Sequence, residues 1–242
     1  RKIVISDPIK NVGTYTVTCN PEATSSIVID IEAFSVGLGY VVKPYKLTFD
    51  TQTLTEMASL FGFADANAMK QSLNGAYALE YVIYKSGYTS RYTGDPSNYY
   101  YLSAVIGVDT SNPVISQEVE DGLTSVGMWI TDYEVMTEGT LSEMDFSQYS
   151  GWMYGVNGVA LNVGFDQYVP QNGDVVRVQF TLAWGMDVGL QGGLGMGMGS
   201  IFPELNKDEL TVLIAEALAR GINVEEELQV AYLLDTDQET ID

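Results

Sequence analysis

Hydrophobic and polar positions alternate with period two along Ser26–Val36, which places Ile27, Ile29 and Ile31 on one face of a predicted strand. After Gly37-Leu-Gly39 the segment Tyr40–Phe49 returns as a second strand. Pro44 interrupts it; proline cannot donate to a ladder, so that position belongs at an edge or a bulge. The period changes at Thr53. Leu54, Met57, Ala58 and Phe61 recur at helical spacing, with Thr53 as the cap and Gly62 as the stop. Residues 63–100 alternate weakly, are rich in Tyr, Ser and Gly, and read as helix and loops. Tyr100–Val108 reads as a strand, and Ser116–Val126 as a short helix with Val119, Leu123 and Val126 on one stripe.

The run Ser150–Thr181 has the clearest pattern. Trp152–Asn157 is strand-like, Gly158 turns the chain, and Asn172-Gly173-Asp174 is a tight turn immediately before a strand over Val175–Leu182. Further on, Asn206 is placed to cap a helix with Leu210, Leu213, Ile214, Ala217 and Leu218 on its apolar face and Gly221 as its stop. Glu225–Glu227 opens another helix through Leu234. Ahead of all these, residues 12–19 alternate as a strand that ends in Cys19, the chain's one cysteine. Strands and helices mixed without βαβ regularity predict an α+β fold.

Composition narrows the chemistry. The chain has 242 residues, 46% hydrophobic and 18% charged, a globular balance. Lys and Arg number 11 against 32 Asp and Glu, for a net charge of −21. Nucleic-acid binding rests on cationic neutralisation of phosphates, so that partner is not expected. An anionic membrane surface repels such a chain, and no apolar run approaches spanning length. A single cysteine allows no internal disulfide, and in an alternating strand it reads as a small core residue. The absence of histidine removes Ser-His-Asp and Cys-His machinery and histidine metal sites.

Gly151-Trp-Met-Tyr154, Val156-Asn-Gly158, Asn162-Val-Gly164, Asp166, Tyr168 and Asn172-Gly-Asp-Val175 carry a resemblance. They resemble the transcobalamin C-terminal-like domain, domain-of-unknown-function family 4430, of Gram-positive bacterial surface proteins. Glu32–Tyr40 and Thr53–Gly62 look like that family's opening strand pair and helix. The resemblance implies a β-grasp-like mixed sheet with a helix across one face, over residues 25–190 with an insertion at about 63–148. Residues 1–24 would then be a strand or linker, 191–204 a Gly/Met-rich hinge, and 205–242 a helical C-terminal segment. It also implies a cell-surface or secreted location within a larger multi-module chain, the leader and anchor lying outside this fragment. The related domain of vertebrate cobalamin carriers closes over a corrinoid beside a large helical barrel. This sequence has no such barrel and no histidine, so no cofactor is assigned and cobalamin stands only as an alternative.

Trp152 and Tyr154 alternate with Met153 and share one face, either as core or as an aromatic platform for a sugar ring or peptide. Asn157 suits a bend, because Asn tolerates left-handed backbone, or a ligand contact. Tyr92 and Tyr100 belong to a Tyr-rich stretch that suits carbohydrate or protein contact, or the face of a sheet. These five are the candidate contact residues; no catalytic or metal residues are assigned. Glu134, Glu138, Glu143 and Asp145 could supply the two carboxylates of a glycosidase, although an acidic chain always offers such pairs. The expectation is a non-catalytic extracellular module for adhesion or ligand capture, its partner a glycan, protein or small molecule. A corrinoid-type small-molecule binder is second and a glycan-active enzyme third.

Overall fold

The structure is a computed structural model that describes residues 24–131, 134–190, 200–234 and 236–242. The expected strand at 12–19 with Cys19, and the glycine- and methionine-rich run 191–199, lie outside the described residues.

The fold is α+β. Its centre is a five-stranded mixed sheet of β1 (Ser26–Ala33), β2 (Gly39–Thr48), β6 (Gly151–Val156), β7 (Val159–Ala160) and β8 (Val175–Thr181), in the order β2-β1-β8-β6-β7. β1 runs parallel to β8, and the remaining neighbours are antiparallel. β2 is thus an edge strand, and its register against β1 slips between Ile29 and Ile31, opposite Lys43 and Pro44. Pro44 sits where the lack of an N–H costs least, as expected.

Period-two alternation gives the sheet two unlike faces. Ile29 lies across from Val176, and Val176 from Val156; Ile31 is across from Val178, and Val178 from Tyr154; Phe180 is across from Trp152. This face joins α1 (Thr51–Phe61), α2 (Ala66–Ser72) and α3 (Gly75–Lys85) in one core through Leu54, Met57, Met69, Leu79 and Ile83. The opposite face carries Asp30 across from Arg177 and Glu32 across from Gln179. It is covered by α5 (Asp208–Ala219), on which α6 (Glu225–Ala231) packs through Ile214 and Leu228; α7 (Gln238–Ile241) ends the chain. A second sheet, β3 (Thr89–Asp95), β4 (Asn98–Ile106) and β5 (Thr140–Ser142), lies with β4 against β6; α4 (Gln117–Ser125) falls between β4 and β5 in sequence.

Several local expectations need correction. α1 starts at Thr51, because Asp50 Oδ1 accepts the Thr53 N–H at 2.8 Å; Thr53 lies inside the helix, while Gly62 ends it at φ 77° as expected. Within the stretch expected as helix and loops, β3 is a strand whose side chains are almost all exposed, so burial leaves no apolar alternation to find. α5 starts two residues beyond Asn206, whose Oδ1 accepts the Asp208 N–H at 2.9 Å. Leu213 faces solvent at 58% exposure; the buried row is Lys207, Thr211, Ile214 and Ala215. That row is polar at its start because it meets the charged face of the sheet.

Candidate functional site

Trp152 and Tyr154 point to the core side of β6, as their spacing requires. Trp152 is buried against Phe180, ring centroids 5.3 Å apart, and its Nε1–H donates to the Leu141 carbonyl at 3.2 Å. Tyr154 is half-buried; its hydroxyl donates to the Val163 carbonyl at 2.7 Å and its ring lies 4.2 Å from that of Phe165. Phe165 reaches this position because α3 opens on Gly75. A Cβ there would stand 2.8 Å from the Phe165 ring and 2.7 Å from that of Tyr168. The side-chain carbonyl of Asn74 caps α3 by accepting the Tyr77 N–H, and its amide donates to the Pro96 carbonyl, tying the helix to the β3–β4 turn.

These rings wall a cavity of about 190 Å³ between α3, β4, β6 and the 161–165 loop. Tyr100, Tyr101, Trp152, Tyr154 and Phe165 form its aromatic walls, with Leu79, Leu161 and Val178 among the aliphatic ones. Of the five candidates the structure therefore brings Tyr100, Trp152 and Tyr154 together. Tyr92 does not line the cavity; its exposed ring lies 5.1 Å from that of Tyr100. Asn157 is elsewhere, at the β6–β7 turn. Tyr101 and Phe165 were not singled out by sequence, although the Tyr99–Tyr101 run points to the first.

Three of the four aromatic donors on the wall, those of Tyr100, Trp152 and Tyr154, are already engaged. The buried Tyr100 hydroxyl donates to Glu80 Oε1 at 2.5 Å, and Ser90 Oγ donates to Glu80 Oε2 at 2.6 Å. Burial of Tyr100, with Glu80 beside it, holds the phenol well above its ordinary value; burial also raises the Glu80 carboxyl. Tyr101 is pushed up to about 12 by burial and by the Glu143 carboxylate beside it. Of the acids considered for glycoside chemistry, Glu143 thus engages Tyr101. Asp145 is fully buried and staples its own loop, accepting the N–H groups of Met136 at 2.8 Å and Ser142 at 2.7 Å.

The bends of Ser150–Thr181 converge on Asp174. Its Oδ1 accepts the Asn157 amide at 3.0 Å; its Oδ2 accepts the Tyr168 hydroxyl at 2.5 Å and the Gln171 N–H at 2.8 Å. Asn157 sits at φ 52° and accepts the Val175 N–H at 2.9 Å, while Asn172 accepts the Ser26 N–H at 3.0 Å. The bend reading of Asn157 is what the geometry supports. Residues 134–181 match the family model of a domain of unknown function, DUF4430. The matched segment therefore contains β5 through β8, the Asp174 knot and three of the five aromatic walls, Trp152 and Tyr154 from β6 and Phe165 from the loop. No curated protein matches the chain.

A second polar assembly lies outside the cavity, under α5. Asp30, Glu32, Arg177, Gln179 and Lys207 are all buried. Gln179 Nε2 donates to Glu32 Oε1 at 2.5 Å and to the Val188 carbonyl at 3.2 Å. Lys207 Nζ donates to the Ala231 and Leu233 carbonyls at 2.8 and 2.6 Å, closing the end of α6. Neither Asp30 oxygen has a hydrogen-bond partner among the described residues. Burial, then the neighbouring Glu32, pushes the Asp30 carboxyl well up; burial raises Glu32 and lowers Lys207 to about 8. The described residues hold no group of three or more acids or cysteines arranged for a metal ion. None of their helices is long and apolar enough to cross a membrane.

Proposed function

We propose that this chain is a non-catalytic binding module of a secreted or cell-surface bacterial protein, and that it captures one small group of a ligand in the aromatic cavity. The observation that carries the reading is the convergence of five rings from β4, β6 and the 161–165 loop on one space. Concave, mostly apolar sites with few polar groups are where ligands bind. At about 190 Å³ the space is smaller than the roughly 300–1,000 Å³ of sites for drug-sized molecules. It suits one ring or one headgroup, and a whole corrin macrocycle does not enter it. The resemblance of the Gly151–Val175 motifs to transcobalamin C-terminal-like surface domains supports the location, and the charge of −21 suits an exported acidic protein.

The test is calorimetric titration of the chain with oligosaccharides, aromatic peptides and cobalamin, alongside Tyr101→Ala and Tyr154→Ala. Binding to at least one ligand, weakened by both variants while their melting curves stay cooperative, is the expected result. Binding unaffected by either variant would defeat the cavity as the site.

A further inference from the structure

We infer that the cavity recognises a small organic ammonium, a quaternary or alkylated amine headgroup, in preference to a neutral ring. The inference rests on the binding reading above and adds the ligand's charge to it. What decides it is the inventory of the walls. Tyr100 donates to Glu80, Tyr154 to the Val163 carbonyl and Trp152 to the Leu141 carbonyl, while the Tyr101 hydroxyl lies at the rim, on the Gly151 side with Glu143. Tyr100, Trp152 and Tyr154 thus have no donor left over for a sugar hydroxyl, a carboxylate or a phosphate. The faces that remain are π surfaces, which attract a cation through their quadrupole.

The surroundings have the matching sign. Glu80 stands behind Tyr100 and Glu143 beside Tyr101. At the third side Asp166 sits over the cavity's Gly164, where an added Cβ would lie 2.5 Å from Asp166 Oδ1. Asp166 Oδ2 is held by the Tyr99 N–H at 3.0 Å. No lysine or arginine is among the lining residues. Three carboxylates outside an aromatic box, with no cation on its wall, favour a ligand that brings its own positive charge and needs no hydrogen bonds. An alkylated ammonium has that chemistry: it carries charge and offers the rings a surface of polarised C–H groups. A phosphate-bearing headgroup would meet the same carboxylates unfavourably, so the ligand is a free small ammonium rather than a lipid.

The test titrates the chain with choline and with its neutral isostere, in which carbon replaces the quaternary nitrogen, by calorimetry at low salt. Choline should bind and the isostere should bind roughly tenfold more weakly, the scale of a desolvated cation–π contact. Tyr101→Leu should lose that preference, and Glu143→Gln should reduce it, with the melting temperature of each variant showing that it is folded. Equal affinity for choline and isostere would overturn the ammonium while leaving the cavity a binding site. So would binding of a glycan or aromatic peptide at this site without choline, or retention of phosphatidylcholine vesicles without choline. Silence of choline, isostere, glycans and peptides together would overturn both readings.

Discussion

Replacing Asp30 by Asn tests the least expected feature of the fold, a fully buried carboxylate with no hydrogen-bond partner among the described residues. Burial and the adjacent Glu32 raise its carboxyl well above the ordinary 3.8, so the folded chain holds a proton that the unfolded chain releases. Between the unfolded and folded values the native state therefore binds more protons, and stability falls as pH rises through that window. The full loss is present above the folded value and vanishes below about pH 4. Each pH unit of the window is worth about 1.4 kcal/mol for one proton. Asn keeps the shape without the titration, and it leaves Glu32 and Asp208 facing Arg177 and Lys207. The variant should thus be more stable than the wild type by about 1–3 kcal/mol at about pH 7, and equal to it within about 0.5 kcal/mol at about pH 4. Urea unfolding followed by tryptophan fluorescence at a series of pH values reads this directly, because the slope against urea should not change. A neutral-pH loss of about 3–5 kcal/mol in the variant would refute the reasoning. It would mean that Asp30 is ionised and compensated by Arg177, so that removing it strands a buried cation.

Three further outcomes follow from the same structure. Asp174→Ala strands the buried Tyr168 hydroxyl, the Gln171 N–H and the Asn157 amide; calorimetry should show a loss of about 3 kcal/mol, a melting point lower by about 6–12 °C. Trp152→Ala should cost about 3–5 kcal/mol, whereas Trp152→Phe, which gives up mainly the bond to the Leu141 carbonyl, should cost about 1 kcal/mol in the same denaturation assay. Burial raises Tyr40, Tyr100, Tyr154 and Tyr168 above the ordinary 10.0. The folded chain thus keeps phenolic protons that the unfolded chain loses, and stability should fall as pH rises beyond about 10, with phenolate absorbance appearing together with loss of helical signal.

Much of this was legible from local pattern. Ile27, Ile29 and Ile31 named the core side of β1, Pro44 its edge partner, and Trp152 with Tyr154 the core side of β6. Asn157 and Asn172 announced bends, and both stand at them, Asn157 in left-handed backbone; their side chains, however, accept from Val175 and Ser26 on distant strands rather than within their own turns. What failed was whatever depends on a distant cover. Asp30 and Glu32 alternate with the isoleucines, and nothing in that pattern shows their burial; they are buried because α5, far along the chain, lies over them. Alternation reports that two faces differ, but not that the polar one is wet. Leu213, expected on the apolar face of α5, is exposed for the same reason, and Lys207 is buried. The cavity was half legible: Tyr100, Trp152 and Tyr154 were candidates, but Tyr101 and Phe165 become walls only when β4 reaches β6 and Gly75 lets Phe165 approach.

The buried charges also define which alignment of β1 and β8 the sheet accepts. A parallel pair buried on both faces and made only of Val and Ile would tolerate neighbouring registers. Here a one-residue slip turns every side chain to the other face. Slipping β8 by one would swing Arg177 and Gln179 into the core that holds Ile29 and Phe180, away from Asp30 and Glu32. A buried guanidinium moved away from the carboxylates whose charge offsets it is far more costly than an imperfect apolar contact. Exposed ion pairs such as Lys46–Glu216 and Lys85–Glu56 have no such leverage, since water and salt screen them. In a chain with only 11 cationic side chains, Arg177 and Lys207 are both enclosed under α5. That placement fixes the central strand pair while leaving the aromatic cavity, on the opposite face, bordered by carboxylates and walled without a cation.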